Sequence, residues 1–321
     1  MKRRLYLVDA SIYIFQAHFS SYMVIWSRRA EDRSAFVGFA RFLLRLLQRI
    51  QPHEHASVAV AFDESLFSGF RHRLYADYKS NRVLPDDNLA RQLDACVRLC
   101  ASLGVQAFAS REYEADDIIG TLAAAAHSGT QADTTEVIVV TRDKDLSQVL
   151  RREADHLWDF QSGERRFRKD IHARYGIWPE QFPCFLGLAG DSSDCIPGVP
   201  GIGSVSAARL LDHFVDLDQL YGRLDEVSTL PIRGALRCAE RLREHEELAR
   251  LSRTLATLAS CDDASETFVG KDVGQLRIEP IDQQACNAVM SDMALTDDEC
   301  RHLSSMLQPL LSAEQRQVAY S

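Results

Sequence analysis

The sequence predicts an α/β fold with a mostly parallel sheet, and two observations predict it. Short runs rich in Val and Ile, at Leu5–Val8, Val58–Phe62 and Val137–Val140, read as strands buried on both faces, and segments of helical spacing separate them. Each run leads into an aspartate: Asp9, Asp63 and, after Thr141 and Arg142, Asp143. Ligands of open parallel sheets bind at the carboxyl ends of the strands, so these three acids are expected in one crevice. A single such Asp is ordinarily a solvated loop residue or a helix cap. Three at one sheet edge call for a hard cation.

Between the strands, Leu89, Leu93, Cys96, Cys100 and Leu103 keep the spacing of one apolar helix face, and the two cysteines read as buried thiols. Ile118–Ala123 reads as a second helix, preceded by Glu114, Asp116 and Asp117. Acids there could merely complement the helix dipole. Beside the other acids they join a larger set, with Asp145 two residues after Asp143, and with Asp191 and Asp194 three residues apart in Gly-Asp-Ser-Ser-Asp. The nine candidates are Asp9, Asp63, Glu114, Asp116, Asp117, Asp143, Asp145, Asp191 and Asp194. Composition supports treating them together. The chain carries 46 acidic and 37 basic residues, net −9, and setting the nine aside leaves the two signs equal. An acidic protein is ordinarily a poor binder of nucleic acid; negative charge concentrated where cations neutralise it removes that objection.

Two further segments point to nucleic acid. Ile196–Gly203 reads Ile-Pro-Gly-Val-Pro-Gly-Ile-Gly between two amphipathic helical patterns, Pro179–Leu186 and Ala207–Phe214. Glycines at 198, 201 and 203 allow positive φ and bring bare N–H groups to a helix start, where a phosphate oxygen can bind. This has the look of the hairpin of a helix-hairpin-helix element, which grips duplex backbone without reading sequence. Upstream, Phe67, Phe70, Arg71, Arg73, Tyr75, Tyr78, Lys79 and Arg82 interleave rings with cations, which suits a single strand.

Other features set bounds. At 321 residues the chain can bury a substantial core. No run approaches a membrane span, and Met1-Lys2-Arg3-Arg4 leads into too short an apolar stretch for a signal peptide, so a cytoplasmic protein is expected. Eight cysteines without a C-x-x-C pair argue against structural zinc. Thr296–Glu299 reads as a capping box opening a last helix.

Taken together, Phe62-Asp63, Tyr78–Arg82, Tyr113–Ala123, Thr141–Leu146 and Gly190–Gly203 resemble the bacterial and phage 5′ nuclease (flap endonuclease) family, most nearly the N-terminal 5′→3′ exonuclease domain of bacterial DNA polymerase I. The likeness is ordered and nearly continuous to about residue 260. It implies a PIN-like (resolvase-like) catalytic domain over 1–175, a helical arch near 64–90, a helix-hairpin-helix subdomain over 176–258, and a remainder, 259–321, packed on the body. All nine acids fall on the family's metal-ligand positions. By that likeness Asp9, Asp63, Glu114, Asp116 and Asp117 surround one ion, directly or through water, and Asp143, Asp145, Asp191 and Asp194 the other. Oxygen-only sites select Mg²⁺ or Mn²⁺, and two ions about 3.5–4 Å apart suit an in-line phosphodiester displacement.

The resemblance assigns Lys79 and Arg82 to the scissile phosphate and Tyr78 to a nearby base. Arg71, Arg73, Gly198, Gly201, Ile202, Gly203 and Ser204 are the expected DNA contacts, and a monovalent cation (K⁺) at the hairpin is left open. A monomer acting on branched or 5′-flap duplex DNA with a 5′ single strand, away from membranes, is implied. Its work would be flap and primer removal in replication and repair. The rivals are a protein that holds flap DNA without cutting and a PIN-type ribonuclease. Three positions depart from the family pattern: Gln16 and Val205 stand where relatives carry an Arg and a phosphate-binding Lys, and Cys195 where they carry Asn. From the charge alone, Asp191→Asn is expected to stabilise the metal-free protein.

Overall fold

The computed structural model describes residues 3–20, 32–50, 56–65, 68–129 and 134–320. Six strands form one sheet in the order β3-β2-β1-β4-β5-β6. These are β1 Arg3–Asp9, β2 Ala56–Asp63, β3 Gln106–Ser110, β4 Thr135–Val140, β5 His156–Trp158 and β6 Arg165–Phe167. All neighbours pair in parallel except β5 and β6. The chain steps outward from β1 through β2 to β3, then returns to β1's other side with β4. That reversal opens a crevice at the carboxyl ends of β1 and β4.

Alternation along the strands feeds two cores. Leu5, Leu7, Val137 and Val139 face one side, with Ile118, Ile119 and Leu122 of helix α5 (Ala115–Ser128). Tyr6, Val8, Ile138 and Val140 face the other. There they meet α1 (Ala10–His18), α2 (Ser34–Ile50) and α4 (Asp87–Ser102). Cys96 and Cys100 are fully buried in that second core, as the helical spacing requires. Asp86 caps α4 by accepting from Leu89 N–H at 2.8 Å.

Of the expected arch, the described residues show one short helix, α3 (Phe70–Leu74), then turns that lead to α4. Phe67 lies outside the described residues. Beyond β6 come α6 (Arg168–Tyr175), α7 (Phe182–Ala189), α8 (Ser204–Phe214), α9 (Leu217–Gly222), α10 (Ala235–Glu244) and α11 (Glu246–Ala256). Residues 190–203 form the connection between α7 and α8. Helices α12 (Gln283–Asp292) and α13 (Asp297–Tyr320) pack back on α4 and α2 respectively. Thr296 and Glu299 form the expected capping box, Thr296 N–H donating to Glu299 at 2.7 Å and Glu299 N–H to Thr296 Oγ1 at 3.1 Å.

Unlike β1 and β2, the third strand-like run stops short of its aspartate. Strand β4 stops at Val140, and Asp143 sits in a turn. Thr141 Oγ1 accepts from Asp143 N–H at 3.0 Å, and Asp143 Oδ1 accepts from Asp145 N–H at 2.8 Å. These local bonds curl the backbone away from the sheet ladder. A 3₁₀ turn, Asp145–Val149, follows.

Candidate active site

Register places the first acids. Asp9 pairs with Ala61, so Asp9 and Asp63 end adjacent strands, and Asp63 accepts from the Ala115 N–H at the start of α5 at 3.3 Å. The Glu114 cap thereby brings Glu114 and Asp116 to the same edge. On the other flank of β1, Thr141 Oγ1 donates to Asp9 Oδ2 at 3.0 Å. Thr141 was not legible as a site residue, since nothing in its spacing separates it from a strand-end Thr.

Burial and mutual repulsion set the charge state. Asp9 is pushed up to about 7, first by burial and then by the Asp143 carboxylate, and Asp145 likewise to about 7 by burial and Asp143. Burial, with Glu114 beside it, raises Asp63; burial, with Asp143 and Asp9, raises Asp116 well above the carboxylate range. Glu114 behaves oppositely. Burial disfavours its charge, but Lys79 and Arg71 hold it down at about 2. Asp191 is also held low, with burial opposed by hydrogen bonds from Lys144 and Ser193.

Cations lie among these acids. Lys79 Nζ stands 2.8 Å from Glu114 and 3.7 Å from Asp194, Arg82 donates to Asp194 at 2.8 Å, and Lys144 Nζ donates to Asp191 at 2.6 Å. Among the described residues no three acid, His or Cys side chains stand close enough to enclose one ion as they are. The donor set nevertheless fits a hard divalent ion: carboxylates only, several disfavoured as anions, and a buried Asp145 Oδ1 without a hydrogen-bond partner. The loop bearing Asp191 and Asp194 is closed by paired backbone bonds between Asp191 and Ile196, at 2.9 and 2.8 Å. Lys79 and Cys195 both hold positive φ, 51° and 56°. Lys79 N–H donates to Asp194 O at 3.0 Å, and Ser80 Oγ lies 3.8 Å from Cys195 Sγ.

Four expectations need correction. Arg71 is buried, not presented to DNA, because its guanidinium donates to both oxygens of Asp117 and to the carbonyls of Leu255 and Thr257. Asp117, fully buried, also accepts from the N–H groups of Glu114 and Ala259; its lone pairs are spent on protein donors, not on an ion. Tyr78 is buried too, its hydroxyl donating to Glu114 at 3.0 Å and its ring edge-on to His72, so no face is open for a base. At the hairpin, Gly198 and Gly201 have positive φ, whereas Gly203 is extended at −95°.

A Cβ on Gly198 would lie 2.3 Å from Gly190 N, which explains glycine there by close backbone approach. Its N–H donates to Ser252 Oγ, and the Ile202 side chain is in the core. Neither group is available to a phosphate. Among the described residues, the N–H groups of Ser204, Val205 and Ser206 open α8 without an acceptor, and Ser204 and Val205 are exposed. Arg73 is exposed and paired with Glu112. Gln16 donates to Gln161 at 2.5 Å.

Comparison with known proteins decides the family. The profile of the 5′-3′ exonuclease N-terminal resolvase-like domain matches residues 4–176, and that of the 5′-3′ exonuclease C-terminal SAM fold matches 177–284. The chain belongs to the 5′-3′ exonuclease family. It is a nuclease with that family's two-part fold. A 5′-3′ exonuclease of Buchnera aphidicola is 29% identical over 80% of this chain and 86% of its own length. DNA polymerase I of Pseudomonas aeruginosa is 36% identical over 79% of this chain, which spans only 27% of that polymerase. The bacteriophage T5 flap endonuclease, solved as a pseudo-enzyme–product complex with DNA and metal ions, superposes with a TM-score of 0.60 at 19% identity, covering 91% of this chain and all of that one. No helix among the described residues is long and apolar enough to cross a membrane.

Proposed function

We propose that this member of the family is a structure-specific 5′→3′ exonuclease and 5′-flap endonuclease that hydrolyses DNA phosphodiester bonds with two divalent cations, Mg²⁺ or Mn²⁺. The observation that carries the reading is the set of carboxylates with raised pKa at the ends of β1, β2 and β4, bordered by Lys79, Arg82 and Lys144. Asp9, Asp63, Glu114 and Asp116 would hold one ion, and Asp143, Asp145, Asp191 and Asp194 the other. Such ions supply charge stabilisation and an acidified water at neutral pH.

The chain's own groups do the positioning. Arg82, half exposed beside Asp194, reaches outward to a phosphate. Lys79 is fixed by its backbone bond to Asp194 and presents its ammonium from within. The exposed N–H groups at the start of α8 receive a phosphate of the duplex, which fixes the distance from duplex to acids. A monovalent cation at the hairpin would compete with Arg241, which already donates to Gly201 O at 2.9 Å. A catalytic domain over 1–175, a DNA-gripping subdomain over 176–258, a monomeric state and a cytoplasmic setting belong to the same reading.

The test uses a labelled 5′-flap duplex with and without Mg²⁺. Cleavage should need the metal. Asp143→Asn with Asp145→Asn should bring cutting to background while flap binding persists, because the backbone contacts lie elsewhere. Binding without cleavage by the wild type would favour a flap-holding protein, and cleavage of RNA alone a PIN-type ribonuclease.

A further inference from the structure

Lys144 stands between the two acids of the second proposed ion group that come from distant parts of the chain. Its Nζ lies 2.6 Å from Asp191 and 3.3 Å from Asp145. Asp145 follows β4, whereas Asp191 sits in the loop after α7, so the ammonium is the link that joins sheet edge and hairpin subdomain at this point. Two oxygens at such distances from one positive centre are what a small cation would also seek. The contact with Asp145 is not a hydrogen bond, since Asp145 Oδ1 remains without one; the attraction there is of charge alone.

The ammonium also has somewhere to go. Lys144 lines a groove of about 700 Å³ that it shares with Arg174, Ser192, Ser204 and Arg209, running from Asp191 toward the start of α8. About a third of the Lys144 side chain is exposed. A change of side-chain rotamer therefore moves Nζ off the acids without moving backbone.

We propose that Lys144 is a built-in stand-in for the second divalent cation: it holds Asp145 and Asp191 together in the metal-free protein and must swing into the groove before an ion binds there. The inference rests on the two-ion reading above. Its consequence is unequal affinity: the group around Asp145 and Asp191 binds its ion more weakly than the group around Asp9 and Asp63. In the former one lysine bridges two of the acids and must leave, whereas among the acids of the latter Lys79 pairs with Glu114 alone. Occupancy of the second site is then set by ion concentration and by the DNA that draws Lys144 away.

The experiment is a Mn²⁺ titration of the full chain without DNA, with free Mn²⁺ read by electron paramagnetic resonance. Wild type should show a tighter and a weaker site. Lys144→Met and Lys144→Gln should each tighten the weaker site at least tenfold and leave the tighter one unchanged. Lys169→Met, which removes an exposed lysine elsewhere, should change neither. In EDTA both Lys144 variants should melt below wild type, with the gap closing in excess Mn²⁺. An unchanged or weaker second site in Lys144→Met and Lys144→Gln, or equal tightening by Lys169→Met, would overturn the stand-in role while leaving the two-ion reading in place. A wild type that binds no Mn²⁺ would remove both.

Discussion

Arg71 donates to both carboxylate oxygens of Asp117, at 2.6 and 2.7 Å, in a buried pair that ties the segment after β2 to the start of α5. The same guanidinium reaches Leu255 O and Thr257 O at the end of α11. Three parts of the chain thus meet on one planar cation, a task for which the forked geometry of arginine is suited and lysine is not. Asp117→Asn should destabilise by about 3–5 kcal/mol, because it removes the charge partner of a buried guanidinium. Arg71→Lys should destabilise as well, because an ammonium keeps the charge but cannot reach all four of these acceptors. Urea unfolding measures this. The salt dependence of DNA binding should stay as in wild type for any folded Arg71 variant; a shallower slope would return Arg71 to the DNA interface.

In EDTA the acids should make stability fall as pH rises. Asp9 and Asp145 move from the ordinary 3.8 up to about 7, so between those values the folded chain keeps protons that the unfolded chain has released. The stabilisation is complete below about 4 and gone above about 7. Glu114 and Asp191, held low, oppose this only in more acid solution. The melting temperature without metal should be higher at pH 6 than at pH 8, and excess Mg²⁺ should narrow the difference by binding the native state. A melting temperature that rises with pH over this range would refute the repulsive cluster.

The same charges reverse one expectation drawn from composition. Asp191 accepts from Lys144 and from Ser193 N–H at 2.8 Å, and its carboxylate is held low, so its charge is welcome in the metal-free protein. Asp191→Asn should lower stability in EDTA, whereas Asp145→Asn at pH 8 should raise it by about 1–2 kcal/mol, given about 1.4 kcal/mol per pKa unit discounted for coupling. Thermal melts of the two variants side by side decide it.

Val205 is exposed at the start of α8, and Gln16 lies on α1 beside Gln161. Val205→Lys should add a phosphate contact on plain duplex and steepen the fall of log K with log salt by about 0.9. Gln16→Arg should act only when a 5′ single strand is present, by about 0.7. Binding across a salt series in Ca²⁺ reads both. No change for Val205→Lys on duplex would mean that the hairpin does not meet the backbone.

Cys195 holds φ at 56°, a region that costs most side chains about 1–2 kcal/mol and that Asn tolerates. Cys195→Asn should stabilise by about 1 kcal/mol, and Cys195→Val should destabilise. Equal stabilities would show that the strain is relieved elsewhere.

The sequence by itself determined three strands of the sheet, β1, β2 and β4, and the gathering of acids at their carboxyl edge, whereas β3, β5, β6 and the strand order came only with the structure. The three strands and their acids follow from local facts: short continuous apolar runs set strands buried on both faces, and an Asp just past such a run lies at the edge. Which acids face one another as anions, and which are spent on the protein, was decided only by tertiary structure. Asp116 and Asp117 are neighbours in sequence, yet the pKa of one is raised by burial and then by other carboxylates, and the other is locked to Arg71. The helical turn points them apart, and Arg71 lies 46 residues from its partner. Likewise Lys79, which the family resemblance assigns to the scissile phosphate, and Lys144, which has no role legible in sequence, become counter-ions of Glu114, Asp194 and Asp191 only in the folded chain. Charge state depends on what is within a few ångströms in space, and no spacing along the chain carries that distance.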